Sequence, residues 1–142
     1  MSNAELTRAQ YVDFVQTAGL GVLATVDADG RPEAALVDLA VTDDGDLLFD
    51  SKVAARKVAN LAANDRVALV VGFGRVSLQI EGPAELLVGA DRAALAPLYT
   101  DQCPTRPAMT DEFALFRVRP DWLRVYRTRP GQPPQLTVGV PE

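Results

Sequence analysis

Ser51, Lys52, Arg56 and Lys57 lie in one short stretch of a 142-residue chain, where an apolar run gives way to helix-forming residues. The hydroxyl and the first ammonium stand at the end of that run, and the arginine–lysine pair follows about one helical turn later. Four anion-compatible side chains at the mouth of a helix form a seat for a phosphate. The first helical turn leaves backbone N–H groups without partners and concentrates positive potential there. A guanidinium adds two donors in a fixed fork. The competing reading is a helix whose solvated face is basic, which carries no chemistry by itself. Spacing alone leaves both readings open.

Other chemistries are narrowed by composition. The chain has no histidine and one cysteine, Cys103. No Ser-His-Asp or Cys-His pair can form, no histidine can ligate zinc or haem iron, and no proton shuttle of ordinary pKa is available. The carboxylates are not spaced as a cation loop requires, so no metal site is expected. Cys103, in a proline-flanked loop without a base, reads as a structural or surface thiol, and a lone cysteine fits a reducing compartment. Asp101, Asp111 and Glu112 read as a solvated face. A formal net charge of −5 argues against broad nucleic-acid binding, which relies on neutralising many phosphates. One local basic cluster remains compatible with one bound phosphate.

With 48% hydrophobic and 23% charged residues, the chain reads as a single globular domain over residues 1–142. No apolar run approaches the roughly 20 residues that cross a bilayer. The polar, mixed-charge opening, residues 1–10, does not read as a secretory signal, so a cytoplasmic protein without a membrane partner is expected.

The elements that must position the basic stretch follow from periodicity. Residues 7–18 carry apolar side chains at helical spacing, with Thr7 as N-cap and Gly19 as stop. Strands are expected at 20–26, 32–41 and 46–50, joined by two Asp-Gly turns into an antiparallel meander. A helix over 53–61 should bury Val53, Ala54, Val58 and Leu61, with Asn60 capping carbonyls near its end. Residues 66–72 read as a strand covered on both faces. Residues 76–88 read as one long strand bent at Gly82-Pro83. A further helix starts near Asp91 as N-cap, and a loop over 100–110 is long enough to cover or gate something. Final strands are expected at 113–118 and 123–126, and the proline-bearing tail forms an extended arm or packs on a neighbouring subunit. About six strands with two or three helices and short turns give a mainly β domain, a closed antiparallel barrel with capping helices.

These pieces resemble the FMN-binding split-barrel proteins related to pyridoxamine 5'-phosphate oxidase. The likeness rests on Gly21-Val22-Leu23-Ala24-Thr25-Val26 followed by Asp29-Gly30-Arg31-Pro32, and on residues 51–61 with Arg56-Lys57 and Asn60-Leu61. It continues through Glu81-Gly82-Pro83-Ala84-Glu85 and Phe116-Arg117-Val118-Arg119-Pro120, reaching about Tyr126. The resemblance implies a six-stranded antiparallel split β-barrel, a homodimer, and FMN in a groove between subunits. It implies that Ser51, Arg56 and Lys57 hold the flavin phosphate, with Lys52 near enough to share the work. Ser77 falls where relatives often carry a flavin-contacting glutamine. Tyr126 falls where the oxidase has a cofactor-contacting tryptophan, and is equally readable as a core aromatic. Thr25 and Asp38 stand where they could assist the ring.

Departures from the pattern limit what carries over. Ala35 and Ala40 replace basic residues of the oxidase, Ala55 replaces a serine, and the Arg-x-His substrate signature has no counterpart. This argues against pyridoxamine phosphate as substrate. The resemblance then implies an FMN-dependent oxidoreductase acting on a small organic molecule. Alternatives are a reductase using the deazaflavin of some relatives, with Arg75, Arg106 and Arg124 available for its anionic tail, or a non-catalytic flavin-binding or sensing module.

Overall fold

The computed structural model describes residues 6–104 and 110–142, which leaves Arg106 and Pro107 of the 100–110 loop outside the described residues. Helix α1 (Arg8–Ala18) opens on a capping box: the Thr7 hydroxyl accepts from the Gln10 N–H, and the Gln10 side chain accepts from the Thr7 N–H. Gly19, at φ 68°, ends it in the left-handed region. Tyr11 and Val15 are buried, and the Tyr11 hydroxyl donates to the Gly45 carbonyl at 3.0 Å. Burial, aided by the nearby Asp46 charge, pushes the Tyr11 phenol well above its ordinary range.

Strands β1 (Leu20–Val26) and β2 (Pro32–Asp38) pair antiparallel across a turn in which the Asp27 carboxylate accepts from the Asp29 and Arg31 N–H groups. The expected second strand, residues 32–41, divides at Leu39 into β2 and the short β3 (Ala40–Val41). The division matters for closure. Strand order runs β2-β1-β5-β6-β7-β4-β3, so the two halves of this one segment stand at opposite ends of the sheet. The bend at Leu39, whose N–H donates to the Gly19 carbonyl, curls the sheet back on itself as a split barrel.

Strand β4 (Leu47–Lys52) leads to α2 (Arg56–Ala63), followed by β5 (Arg66–Val71) and the long β6 (Val76–Leu86). One edge of β6 carries β5, while its other edge carries β8 (Trp122–Arg127) over residues 76–81 and β7 (Phe113–Val118) over residues 84–86. The switch falls at Gly82-Pro83, the bend anticipated in the sequence. Strand β5 departs from the expected double coverage: Val67, Leu69 and Val71 are buried, but Ala68 is exposed. Among the described residues, the face of this half of the sheet that carries Ala68 is therefore left partly exposed. The tail contributes β9 (Gln135–Val138), an edge strand on β8. With the division at Leu39, it raises the number of strands among the described residues to nine.

The barrel interior packs Leu23, Leu69, Leu78, Ile80 and Leu123 with Phe49 and Phe116, whose rings stack at 5.2 Å. A second cluster, Ala40, Leu48, Leu87, Leu115, Tyr99 and Cys103, seats α3 (Gly89–Gln102) on the outside of β3, β4 and β7. Cys103 is thus a core thiol rather than a surface one. The N-cap of α3 is Val88, with Asp91 inside the first turn, because the backbone is already helical from Gly89 onward. At the far end of α3 the Gln102 amide pairs with both backbone groups of Val41: Nε2 donates to the carbonyl at 2.8 Å and Oε1 accepts from the N–H at 2.9 Å.

Candidate functional site

Helix α2 begins three residues later than its periodicity suggests. Ala55 donates its N–H to the Lys52 carbonyl, so residues 52–55 form a tight turn, and Ala55 is the N-cap in extended conformation. Val53 and Ala54 are consequently exposed in that turn, not buried on the helix. The helix start carries Arg56 and Lys57, no acidic residue in its first turn, and no side-chain cap.

Two adjoining clefts flank this start and share Ala55 and Lys57. One lies against the inward face of β1 and β2, lined by Leu23, Thr25, Glu33, Ala35 and Arg56. The other runs along the end of β2 and β4 past Asp38, Asp50, Ser51 and Lys52. The fold sets Arg56 in the first cleft, Ser51 and Lys52 in the second, and Lys57 in both. Ala35 also falls here, across the ladder from Leu23, and its small side chain leaves the first cleft open beside Arg56. Asp101, Asp111 and Glu112 are exposed and line neither cleft.

Ser51 is buried, and its hydroxyl donates to the Lys52 carbonyl at 3.1 Å, so it must turn before it can donate to a ligand. Arg56 projects outward, 83% exposed, with Nη1 3.3 Å from Oε2 of Glu33. Asn60 is not a carbonyl cap. Its side chain is buried and donates to Thr25 Oγ1 at 3.1 Å and to Glu33 Oε1 at 2.9 Å, and the backbone carbonyl of Asn60 accepts from Asn64 instead. Thr25 is likewise occupied by this network.

Glu33 and Asp50 escaped sequence reasoning. Glu33 shares its inward face with Ala35 and Val37, and it pairs with Thr25 across the β1–β2 ladder. Strand alternation starting from the buried Val37 was the signal that could have found it. With Asp38, these carboxylates match the three cations in number, so the clefts offer localised positive groups rather than a uniformly basic surface.

Ser77 and Tyr126 stand directly opposite each other on β6 and β8. They alternate with the buried Leu78 and Val125, which places them on the outward face of the sheet, away from both clefts. Arg124 is on the same face, its guanidinium 5.8 Å from the Trp122 ring centre, and Arg75 is exposed in the turn before β6.

Residues 7–127 match the family described as pyridoxamine 5'-phosphate oxidase. A pyridoxine/pyridoxamine 5'-phosphate oxidase of Cupriavidus taiwanensis is 43% identical over 65 residues, which is 44% of this chain and 31% of that protein. The match thus spans about a third of the curated relative. Among solved structures, a pyridoxamine 5'-phosphate oxidase-related FMN-binding protein from Nostoc punctiforme aligns with a TM-score of 0.62 at 16% identity, covering 94% of each chain. A heme binding protein from Mycobacterium smegmatis aligns with a TM-score of 0.71 at 19% identity, over 94% of this chain and 59% of that one. At such identities the structural likeness speaks for the fold.

Proposed function

Since the chain belongs to the pyridoxamine 5'-phosphate oxidase family, we propose that it binds FMN with the phosphate at the start of α2 and serves as an oxidoreductase for a small organic substrate. The observation that carries the reading is the composition of that helix start. Two cations occupy the end of a helix where the backbone dipole disfavours them, with no acidic residue in the helix's own first turn, no side-chain cap and, among the described residues, one ion pair from Glu33 of β2 to Arg56 that leaves Lys57 without a salt bridge. A bound phosphate would satisfy the free N–H groups and both cations at once.

In this reading Arg56 supplies a forked donor, Lys57 reaches into both clefts, and Lys52 and Ser51 close the far side. The flavin ring supplies the hydride or electron chemistry, and the protein orients it. No side-chain acid or base is demanded of the chain, which suits a sequence without histidine. Arg75 and Arg124 line neither cleft, and with Arg106 outside the described residues no observation favours a deazaflavin over FMN.

The partly exposed outer face of β1, β2, β5, β6, β8 and β9 supports a homodimer. Along one register row it carries Leu36, Val22, Val70, Gln79, Arg124 and Val138, with Leu36 66% and Val138 57% exposed. Ser77 and Tyr126 lie on this same face, so a dimer through it would place them at the interface. The reading is tested by the visible spectrum of the purified protein and the mass of any chromophore released on denaturation. A flavin spectrum with the mass of FMN is expected. A colourless protein that takes up neither FMN nor the deazaflavin overturns it.

A further inference from the structure

The Arg56 side chain is 83% exposed, yet it is tethered to the barrel interior. The tether has two links. Asn60, 7% exposed, spends both amide protons, one on Thr25 Oγ1 and one on Glu33 Oε1. Glu33, held by that bond and only 18% exposed, turns its second oxygen, Oε2, toward Arg56 Nη1. The chain of contacts starts at β1, passes through α2 and β2, and ends on the guanidinium at the cleft mouth.

We propose that Glu33 and Asn60 are positioning residues for Arg56, a relay that fixes its guanidinium over the cleft for an incoming phosphate. The inference rests on the phosphate seat argued above and names residues to which that reading gives no part. A carboxylate beside an anion site is at first sight a handicap, because it repels the ligand. Two effects of opposite sign compete. The repulsion acts across an open, watered cleft where charges are strongly screened. The ordering acts on a long side chain with large rotamer entropy, through an ion pair at one edge of the guanidinium that leaves the rest of the fork to the ligand. Screening grows with separation, so it weakens the repulsion across the cleft more than the 3.3 Å contact that orders the guanidinium, and ordering prevails.

The sign can be read directly by comparing FMN with riboflavin, which lacks the phosphate and keeps the ring and ribityl chain. The ratio of riboflavin Kd to FMN Kd isolates the contribution of the phosphate from general damage to the site. It is measured for the full chain and for Glu33→Gln, Arg56→Ala and the double variant. Glu33→Gln is expected to lower the ratio about fivefold in the parent and by less than about twofold when Arg56 is already alanine, because the carboxylate acts through the guanidinium. Asn60→Asp, which cannot donate to Glu33, should lower it in the same direction; if that variant fails to fold, the Glu33 cycle decides alone. A ratio that rises or stays level in Glu33→Gln overturns the relay, as does an equal loss in both backgrounds. A ratio near one in the parent protein overturns the phosphate seat and the relay with it, whereas a high parent ratio with an unchanged Glu33→Gln removes the relay alone.

Discussion

Gly82 lies so close to Arg119 that a side chain cannot be placed between them. A Cβ at position 82 would overlap the Arg119 carbonyl oxygen, and would stand 3.0 Å from the carbonyl carbon and 3.1 Å from the Pro120 Cα. The link from β7 to β8 runs along β6 at this point, held by N–H bonds from Arg119 to the Pro83 carbonyl and from Asp121 to the Glu81 carbonyl. Both neighbours are backbone and cannot yield as a flexible side chain would. Gly82→Ala is therefore expected to cost about 1–3 kcal/mol of stability through forced separation of the two backbones. Urea unfolding monitored by Trp122 fluorescence checks this, and an unchanged midpoint contradicts it.

The basic pair should matter to ligand and hardly at all to folding. Arg56→Ala with Lys57→Ala is expected to weaken FMN binding by roughly tenfold to a hundredfold, the scale of lost charge-assisted hydrogen bonds. The Arg56–Glu33 pair is too exposed on the arginine side to contribute much to stability. Calorimetric titration and a melting curve on the same sample separate the two effects. Parallel losses would return the cluster to an ordinary solvated helix face.

Assembly through the partly exposed sheet face gives a third expectation. Leu36→Glu combined with Val138→Glu places charges at both ends of that register row, and both side chains project from the surface of the single chain. Sedimentation should find a dimer for the parent and a monomer for the variant, with FMN binding weakened in step if Ser77 and Tyr126 act across the interface. A parent protein that sediments as a monomer at micromolar concentration removes the dimer.

Asp46 sets a pH dependence of definite sign. Burial raises its carboxyl above the ordinary range, partly offset by Arg119 and Arg117 and reinforced by Asp44 and Glu85. The folded state thus holds the proton more tightly than the unfolded chain. The stabilising contribution of that proton is complete below the ordinary carboxylate pKa and is lost as pH rises through the elevated folded value. Asp46→Asn removes this titration, so its melting temperature should fall less steeply than the parent's as pH is raised from 4 toward neutrality. Superimposable profiles would show that Asp46 does not carry the effect. The Arg66–Asp121 pair on the surface acts oppositely, since its hydrogen bonds with Arg66 lower the Asp121 carboxyl.

The sequence carried the architecture and the cluster of four basic-stretch residues because both are local. Capping, Asp-Gly turns and strand alternation are written in neighbouring residues, and Ser51 to Lys57 cannot be far apart. What was hidden depends on distant partners. Asn60 looked like a helix-end polar residue until Thr25 and Glu33, 35 and 27 positions away, came to its side. Val53 looked buried because helical periodicity was extended through a turn. Cys103 looked like a loop thiol until α3 carried it into the second core cluster. Ser77 and Tyr126 stand 49 positions apart in the sequence, and only the β6–β8 register makes them one pair.

The Gln102–Val41 pairing has a consequence for how copies of this protein can meet. Strand β3 is two residues long and terminates the sheet, and an unsatisfied strand edge is a template onto which another chain can zip. By presenting an amide group to the N–H and C=O of Val41, Gln102 fills the place that a foreign backbone would take. The glutamine thus works as a one-residue stopper against runaway strand addition, and it leaves contact through the face, rather than growth along the edge, as the way this end of the barrel tolerates neighbours.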